Sequence, residues 1–191
     1  MTSATLVLAS ASARRLALLA QIGIVPDSIV SPDIDETPLR DELPDRHAVR
    51  LARAKLATVS GADSYVLAAD TVVAAGRRIL GKAETETEAR GCLTLLSGRR
   101  HRVMTGIAVR ARDGRVAERL VQSIVTFARL SEPQIAAYLA SGEWRGKAGA
   151  YAIQGRAAAF IRFLSGSYSN VVGLPLFETA QMLRGLGWPS P

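Results

Sequence analysis

One stretch constrains the fold more than any other. From Tyr65 to Ala75 the chain is apolar throughout, except where Asp70 and Thr71 interrupt it. A continuous apolar run of this length, closed by a Gly76-Arg77-Arg78 turn, predicts a strand buried inside a covered sheet. A carboxylate in such a strand needs a cation, hydrogen bonds or a shifted pKa. Asp70 therefore reads as a metal ligand, as a general base, or as a strand-end aspartate bonded to backbone.

The flanking sequence sets this strand among helices. Thr5–Ala9 predicts a first strand, followed by the small-residue loop Ser10-Ala11-Ser12 and a helix from Ala13 to Ile22 that stops at Gly23. The acid- and proline-rich stretch from Asp33 to Pro44 predicts a loop. A second helix starts at Asp45, with Ala48, Leu51, Ala52, Lys55, Leu56 and Val59 at 3/4 spacing. Ile79-Leu80 returns from the glycine turn as a hairpin. Thr85 with Glu88, and Ser131 with Gln134, are capping boxes opening two more helices. Val103, Thr105, Ile107 and Val109 alternate, and Asp113-Gly114 turns the chain into a partner strand with Val121, Ser123, Val125 and Phe127. A glycine-rich loop, a strand near Ala157–Leu164, a second polar loop and a helix from Pro175 follow. These elements predict an α/β fold with a mixed sheet, its antiparallel strands gathered in the second half, as a single domain over 1–191.

Composition narrows the function classes. The 191 residues are 48% hydrophobic and 21% charged, which excludes intrinsic disorder and suffices to bury about 70% of the unfolded surface. Cys92 is the only cysteine, and His47 and His101 form no HxH or HExxH pattern, which argues against disulfides and zinc. Twenty-four Lys and Arg against 17 Asp and Glu give a net charge of +7, favouring anionic partners. With only 5% aromatics and no basic run interleaved with them, nucleic acid is disfavoured. No stretch has transmembrane length, and no positive n-region precedes the first apolar run, so a cytoplasmic location without membrane attachment is expected.

Several cations have placements that suit an anion. Arg14 and Arg15 open the first helix, where the macrodipole disfavours positive charge unless an anion shares the site. Ser10 and Ser12 add hydroxyls and an N-cap; a solvent-facing arginine pair is the plainer alternative. Lys55 breaks an apolar stripe, so it either snorkels to water or meets a buried anion. Glu36, in the acidic loop, can supply oxygen to a metal or merely be solvated. Gly76 to Lys82 has the G-x4-G-K spacing of a phosphate loop, but Ala83 replaces the Mg²⁺-binding hydroxyl, and the phosphate loop is rejected. Lys82 stays a candidate phosphate contact. Gln154 can present a donor and an acceptor to a base edge, or stabilise a turn.

Together these pieces resemble one family. Leu8-Ala9-Ser10-Ala11-Ser12-Ala13-Arg14-Arg15, Ala69-Asp70-Thr71-Val72-Val73, Gly81-Lys82 and Ser167-Tyr168-Ser169-Asn170-Val171-Val172-Gly173-Leu174-Pro175-Leu176 are similar to the Maf family of nucleoside triphosphate pyrophosphatases. The likeness runs in the family's order over nearly the whole chain. Ala150-Tyr151-Ala152-Ile153-Gln154-Gly155 resembles the branch acting on dTTP and UTP. The resemblance implies an elongated mixed sheet flanked by helices, with two lobes and a cleft, close to inosine triphosphate pyrophosphatases. It implies α–β cleavage of a nucleoside triphosphate to monophosphate and pyrophosphate with a divalent cation, Mg²⁺ or Mn²⁺, in a homodimer. It makes Asp70 the catalytic proton acceptor and, with Glu36, a metal ligand. Arg14, Thr71 and Gln154 fall on specificity positions, and Ser10, Arg15, Lys55 and Lys82 on phosphate contacts. Ala13 and Ala83 depart from the family's usual prolines, which loosens both loops without removing a functional group. The competing reading is a non-catalytic nucleotide or RNA binder using the same basic pocket; such a binder has no need of Asp70.

Overall fold

The computed structural model describes residues 4–60 and 63–189. Expectations touching residues 1–3, including part of the N-terminal reading, and the outer limits of the 1–191 domain lie outside these residues. The chain forms β1 (Leu6–Ala9), α1 (Ala13–Gln21), β2 (Ser28–Val30), α2 (Pro44–Ala57), β3 (Tyr65–Ala75), β4 (Arg78–Leu80) and α3 (Glu86–Leu96). It continues through β5 (Arg100–Arg110), β6 (Val116–Phe127), α4 (Glu132–Ala140), a 3₁₀ turn (Arg156–Phe160), β7 (Ile161–Ser165), α5 (Tyr168–Val172) and α6 (Leu176–Gly185). All seven strands join one mixed sheet in the order β2-β1-β3-β5-β6-β7, with β4 paired to β3. The β2, β1 and β3 strands run parallel, while β3, β5, β6 and β7 are antiparallel neighbours.

Side-chain alternation sends each strand's residues to two cores. Leu6, Leu8, Leu67, Ala69 and Val73 face the larger cluster with Leu18, Leu93, Tyr138 and Leu183 from the helices. Val7, Ala9, Val66 and Ala68 face the other side, against Ala52, Leu56 and Val59 of the α2 region. Leu51 and Leu56 are almost fully buried there, each worth about 1.5–3 kcal/mol. The helix comes unusually close to the sheet at Gly106. A Cβ on that residue would lie 2.3 Å from the Ala48 carbonyl oxygen. Gly106 is the cross-strand partner of Asp70, so the missing side chain seats α2 directly over the strand carrying the buried carboxylate.

Two local expectations differ, and one strand is not expected at all. The segment 157–160 is not strand: Ala157 and Phe160, three apart, bury one side of the 3₁₀ turn before β7 begins at Ile161. The polar loop before Pro175 contains α5, a single turn capped by Ser167 accepting from the Asn170 amide, too short for any periodic signal. β2 carries no apolar pattern because it lies exposed at the sheet edge and forms only through its parallel pairing with β1. Smaller shifts place the α2 start at Pro44, a favoured first-turn residue, and make Pro175 the residue before α6.

Candidate active site

The site arises from a gap in the sheet. β1 pairs with β3 only as far as Ala68, and β4 picks up pairing at Val73. Between them β3 has no neighbouring strand on that side among the described residues, at the carboxyl end of a parallel strand pair, where α/β sheets bind ligands. A cleft of about 650 Å³ opens there. Its walls include Ser10, Arg14, Arg15, Glu36, Lys55, Asp70, Thr71, Lys82 and Gln154, so all nine candidates from the sequence line one cavity. Lys147 also lines it; a lone lysine in a glycine-rich loop carries no periodic signal, and its meaning depends on the neighbour it faces. Five cations against two carboxylates leave the walls with a formal charge of +3.

Because the β3 side chains alternate, Asp70 faces α2 and Thr71 faces α1. Lys55 follows the apolar stripe of α2 to the cleft, and its ammonium donates to Asp70 Oδ1 at 2.5 Å. The same ammonium lies 2.6 Å from Glu36 Oε1, and Lys82 lies 2.6 Å from Glu36 Oε2. The result is a charge-alternating chain, Asp70–Lys55–Glu36–Lys82. Lys55 and Asp70 are nearly buried, at 8% and 10% side-chain exposure, so Lys55 meets a buried anion and does not snorkel. Burial opposes ionisation of Glu36, but hydrogen bonds from Lys55 and Lys82 outweigh it and hold its carboxyl at about 2. Asp70 Oδ2 has no protein donor among the described residues, which leaves it free for water.

On the opposite face, Arg15 is a buried hub. Its Nη1 donates to Ser10 Oγ at 2.9 Å, its Nε to the Gly173 carbonyl at 2.9 Å, and its Nη2 to Thr71 Oγ1 at 3.2 Å. Burial pulls its pKa down, while the Asp70 charge pushes it back up. Gly173 adopts φ 139°, a conformation that glycine alone tolerates well, and so presents its carbonyl to this arginine. Thr71 also bonds Thr105 Oγ1 and the Gly173 carbonyl, so its one hydroxyl proton and its lone pairs are already engaged. Ser12 occupies the N-cap position of α1 but makes no side-chain capping bond, leaving amide protons available at the helix start.

Arg14 is different. It makes no hydrogen bond or ion pair among the described residues, and burial lowers its pKa. Lys147 is likewise pushed down, first by burial and then by the Arg14 charge. The Glu143 charge pushes Lys147 back up; Arg14 and Lys147 both line the cleft, where their like charges suit an anion. Gln154, exposed in the cleft wall, sits in a loop secured by Glu143, which accepts from the Arg156 amide at 2.8 Å.

No cluster of three or more His, Cys, Asp or Glu able to hold a metal occurs among the described residues. Glu36 and Asp70 nevertheless share one cation, the Lys55 ammonium, and offer hard oxygen donors. That donor set suits Mg²⁺ or Mn²⁺, ions commonly held by one or two carboxylates with phosphate and water completing the shell. No described helix is long and apolar enough to cross a membrane.

The fold and the cleft define an α/β protein built to hold a polyanion beside a buried carboxylate. More specifically, the chain belongs to the Maf family: the Maf-like protein family matches residues 5–186. The dTTP/UTP pyrophosphatase of Granulibacter bethesdensis is 62% identical, covering 99% of this chain and 96% of its own length. The dTTP/UTP pyrophosphatase of Paramagnetospirillum magneticum is also 62% identical, over 97% and 98%. Among solved structures, a HAM1 protein from Coxiella burnetii overlaps 66% of this chain and 74% of its own at 19% identity, with a TM-score of 0.44.

Proposed function

We propose that this protein hydrolyses dTTP and UTP between the α- and β-phosphates, releasing the monophosphate and pyrophosphate. The observation that carries the reading is Asp70: a buried carboxylate with one free oxygen, set on an unpaired strand edge among five cations. The names of relatives about 60% identical over nearly their whole lengths support the substrate class.

The residues divide the work. Lys82 and Lys147, with the Ser10 hydroxyl and the free amides of α1, hold the triphosphate; Arg15 keeps Ser10 and Gly173 in place. Asp70 Oδ2 accepts a proton from water as the water oxygen bonds to the α-phosphorus. The α–β bridging bond breaks, and pyrophosphate leaves against the cations, which offset its developing charge. Lys55 orients Asp70 through Oδ1. A divalent cation held by Glu36 and Asp70 would add charge neutralisation on the phosphates. Gln154 and Arg14 address the O4–N3–O2 edge of the pyrimidine, and Thr71 acts through Arg15, its hydroxyl being committed.

Incubation with UTP and Mg²⁺ should yield UMP and pyrophosphate by chromatography; UDP and orthophosphate as first products would defeat the proposal. Asp70→Asn retains the Lys55 hydrogen bond but loses the base, so turnover should fall about 10²-fold or more with melting temperature nearly unchanged. Gln154→Ala should narrow the preference for UTP over GTP.

A further inference from the structure

Outside the cleft, the structure holds a partly buried charged cluster, Arg50 with its side chain 31% exposed, for which the reaction itself has no use. Glu42 and His47 have side chains only 7% and 5% exposed. Arg50 Nε donates to Glu42 Oε1 at 2.6 Å and Arg50 Nη2 to Glu42 Oε2 at 2.8 Å, a two-pronged pair. His47 Nδ1 lies 2.8 Å from Glu42 Oε2, which also accepts from the Leu39 amide at 3.0 Å. None of the three lines the cleft. Burying ions this way adds little net stability over an apolar packing, so the cluster calls for another explanation.

The explanation lies in what Arg50 reaches. Its Nη2 also donates to the Thr37 carbonyl at 3.0 Å, one residue past Glu36. Glu36 stands on the segment from residue 31 to 43, which has no helix or strand of its own. An Asp35 side chain accepting from the Thr37 amide at 2.8 Å tightens the same point, and Asp41 takes a left-handed φ of 58° in the turn that returns to Glu42. One helix, α2, thus grips the segment twice. Lys55 holds the Glu36 carboxylate, and Arg50, braced by Glu42, holds the backbone beside it.

We infer that Arg50 and Glu42, completed by His47, are positioning residues that fix the Asp33–Leu43 loop so that Glu36 meets Lys55 and Lys82 in the cleft. The effect on turnover rests on the pyrophosphatase reading; the anchoring of the loop does not. Arg50 Nη2 also lies 3.0 Å from His47 Nδ1, and a lysine cannot reproduce the contacts of this planar fork, so Arg50→Lys keeps the charge and loses the clamp.

Two measurements on the full chain test this. Hydrogen exchange in the free protein should show the Thr37 and Leu39 amides exchanging faster in Arg50→Lys, with the β3 amides unchanged. Exchange at wild-type rates overturns the clamp whatever the enzyme does. With UTP and Mg²⁺, Arg50→Lys should lose about 10-fold in kcat/KM and need more Mg²⁺ for half-activation. In a Glu36→Gln background the same change should cost almost nothing further, because both act through one carboxylate. Multiplicative losses would make Arg50 merely structural and overturn the inference. Glu42→Gln is the second variant, expected to repeat the pattern more weakly should Arg50→Lys fold poorly. A wild type inactive on UTP would sink the pyrophosphatase reading alone, with the exchange result still deciding the clamp.

Discussion

Gly106→Ala places a methyl group where the structure leaves no room. The new Cβ would lie 2.3 Å from the Ala48 carbonyl oxygen, 2.6 Å from the Ala48 carbonyl carbon and 2.9 Å from Val49 Cα. All three are backbone atoms, so no rotamer change relieves the overlap. Helix α2 must lift off the sheet by about 1 Å to restore van der Waals contact. Overpacking of this kind costs about 1–3 kcal/mol, and in a chain of this size each kcal/mol lowers the melting temperature by about 2–4 °C. A fall of roughly 2–12 °C follows. The same movement draws Arg50 away from Thr37 and stretches the 2.5 Å Lys55–Asp70 bond, which the flexible lysine stem restores only in part. Misplacement of about 1 Å at a reacting centre can cost on the order of 10² in rate, and kcat/KM on UTP should drop by about 10-fold or more. Gly91→Ala is the matched control. Gly91 lies in α3 with nothing within 4 Å of its would-be Cβ, so alanine there should raise stability by about 0.5–1 kcal/mol. Differential scanning fluorimetry with a pyrophosphate-release assay reads both effects. A Gly106→Ala protein that melts and turns over like wild type would refute the close seating of α2 on β5.

Three further outcomes follow from the geometry. Lys55→Met leaves Asp70 buried without its cation and should destabilise by about 3–5 kcal/mol at neutral pH, part of which Asp70→Asn should restore in chemical denaturation. Burial pushes His101 down to about 4, so the folded protein resists the proton that the unfolded chain accepts near pH 6.5. Stability contributed above pH 6.5 should therefore be lost as pH falls toward 4, by about 2 kcal/mol at pH 5, and denaturation of His101→Gln should lack that slope between pH 6.5 and 5. Lys147→Ala should raise the KM for UTP severalfold while leaving the melting temperature near wild type, since among the described residues its ammonium bonds only the Arg145 carbonyl; an unchanged KM would place it outside the triphosphate site.

Much of this protein is legible in its sequence because the signals are local. The capping boxes at Thr85 and Ser131, the stripe from Ala48 to Val59, the alternation from Val103 to Val109 and the Asp113-Gly114 turn each depend on residues a few positions apart, and each element formed there, with α2 running from Pro44 to Ala57 and leaving Val59 just beyond it. Asp70 stood out for the same reason: a carboxylate in an apolar run is costly wherever the strand ends up. The missed strand and the misread segment fell where the decisive contact lies outside the element itself. β2 exists only through β1, and the 157–160 segment turns because Ala157 and Phe160 find the core together.

The sequence by itself determined which elements form and which residues are too costly to bury unpaired. Only the tertiary structure decided what those residues meet. Nothing along the chain relates Lys55 to Glu36, Arg15 to Gly173, or Arg50 to Thr37. The early end of β1 opens the β3 edge, and Gly106 lets α2 settle onto the sheet. Those two events bring charged groups and their partners from distant segments within 2.5–3.0 Å of one another. Pairing energy between charges grows as they approach, and chain entropy opposes every such meeting until the cores on both faces of the sheet hold the segments together.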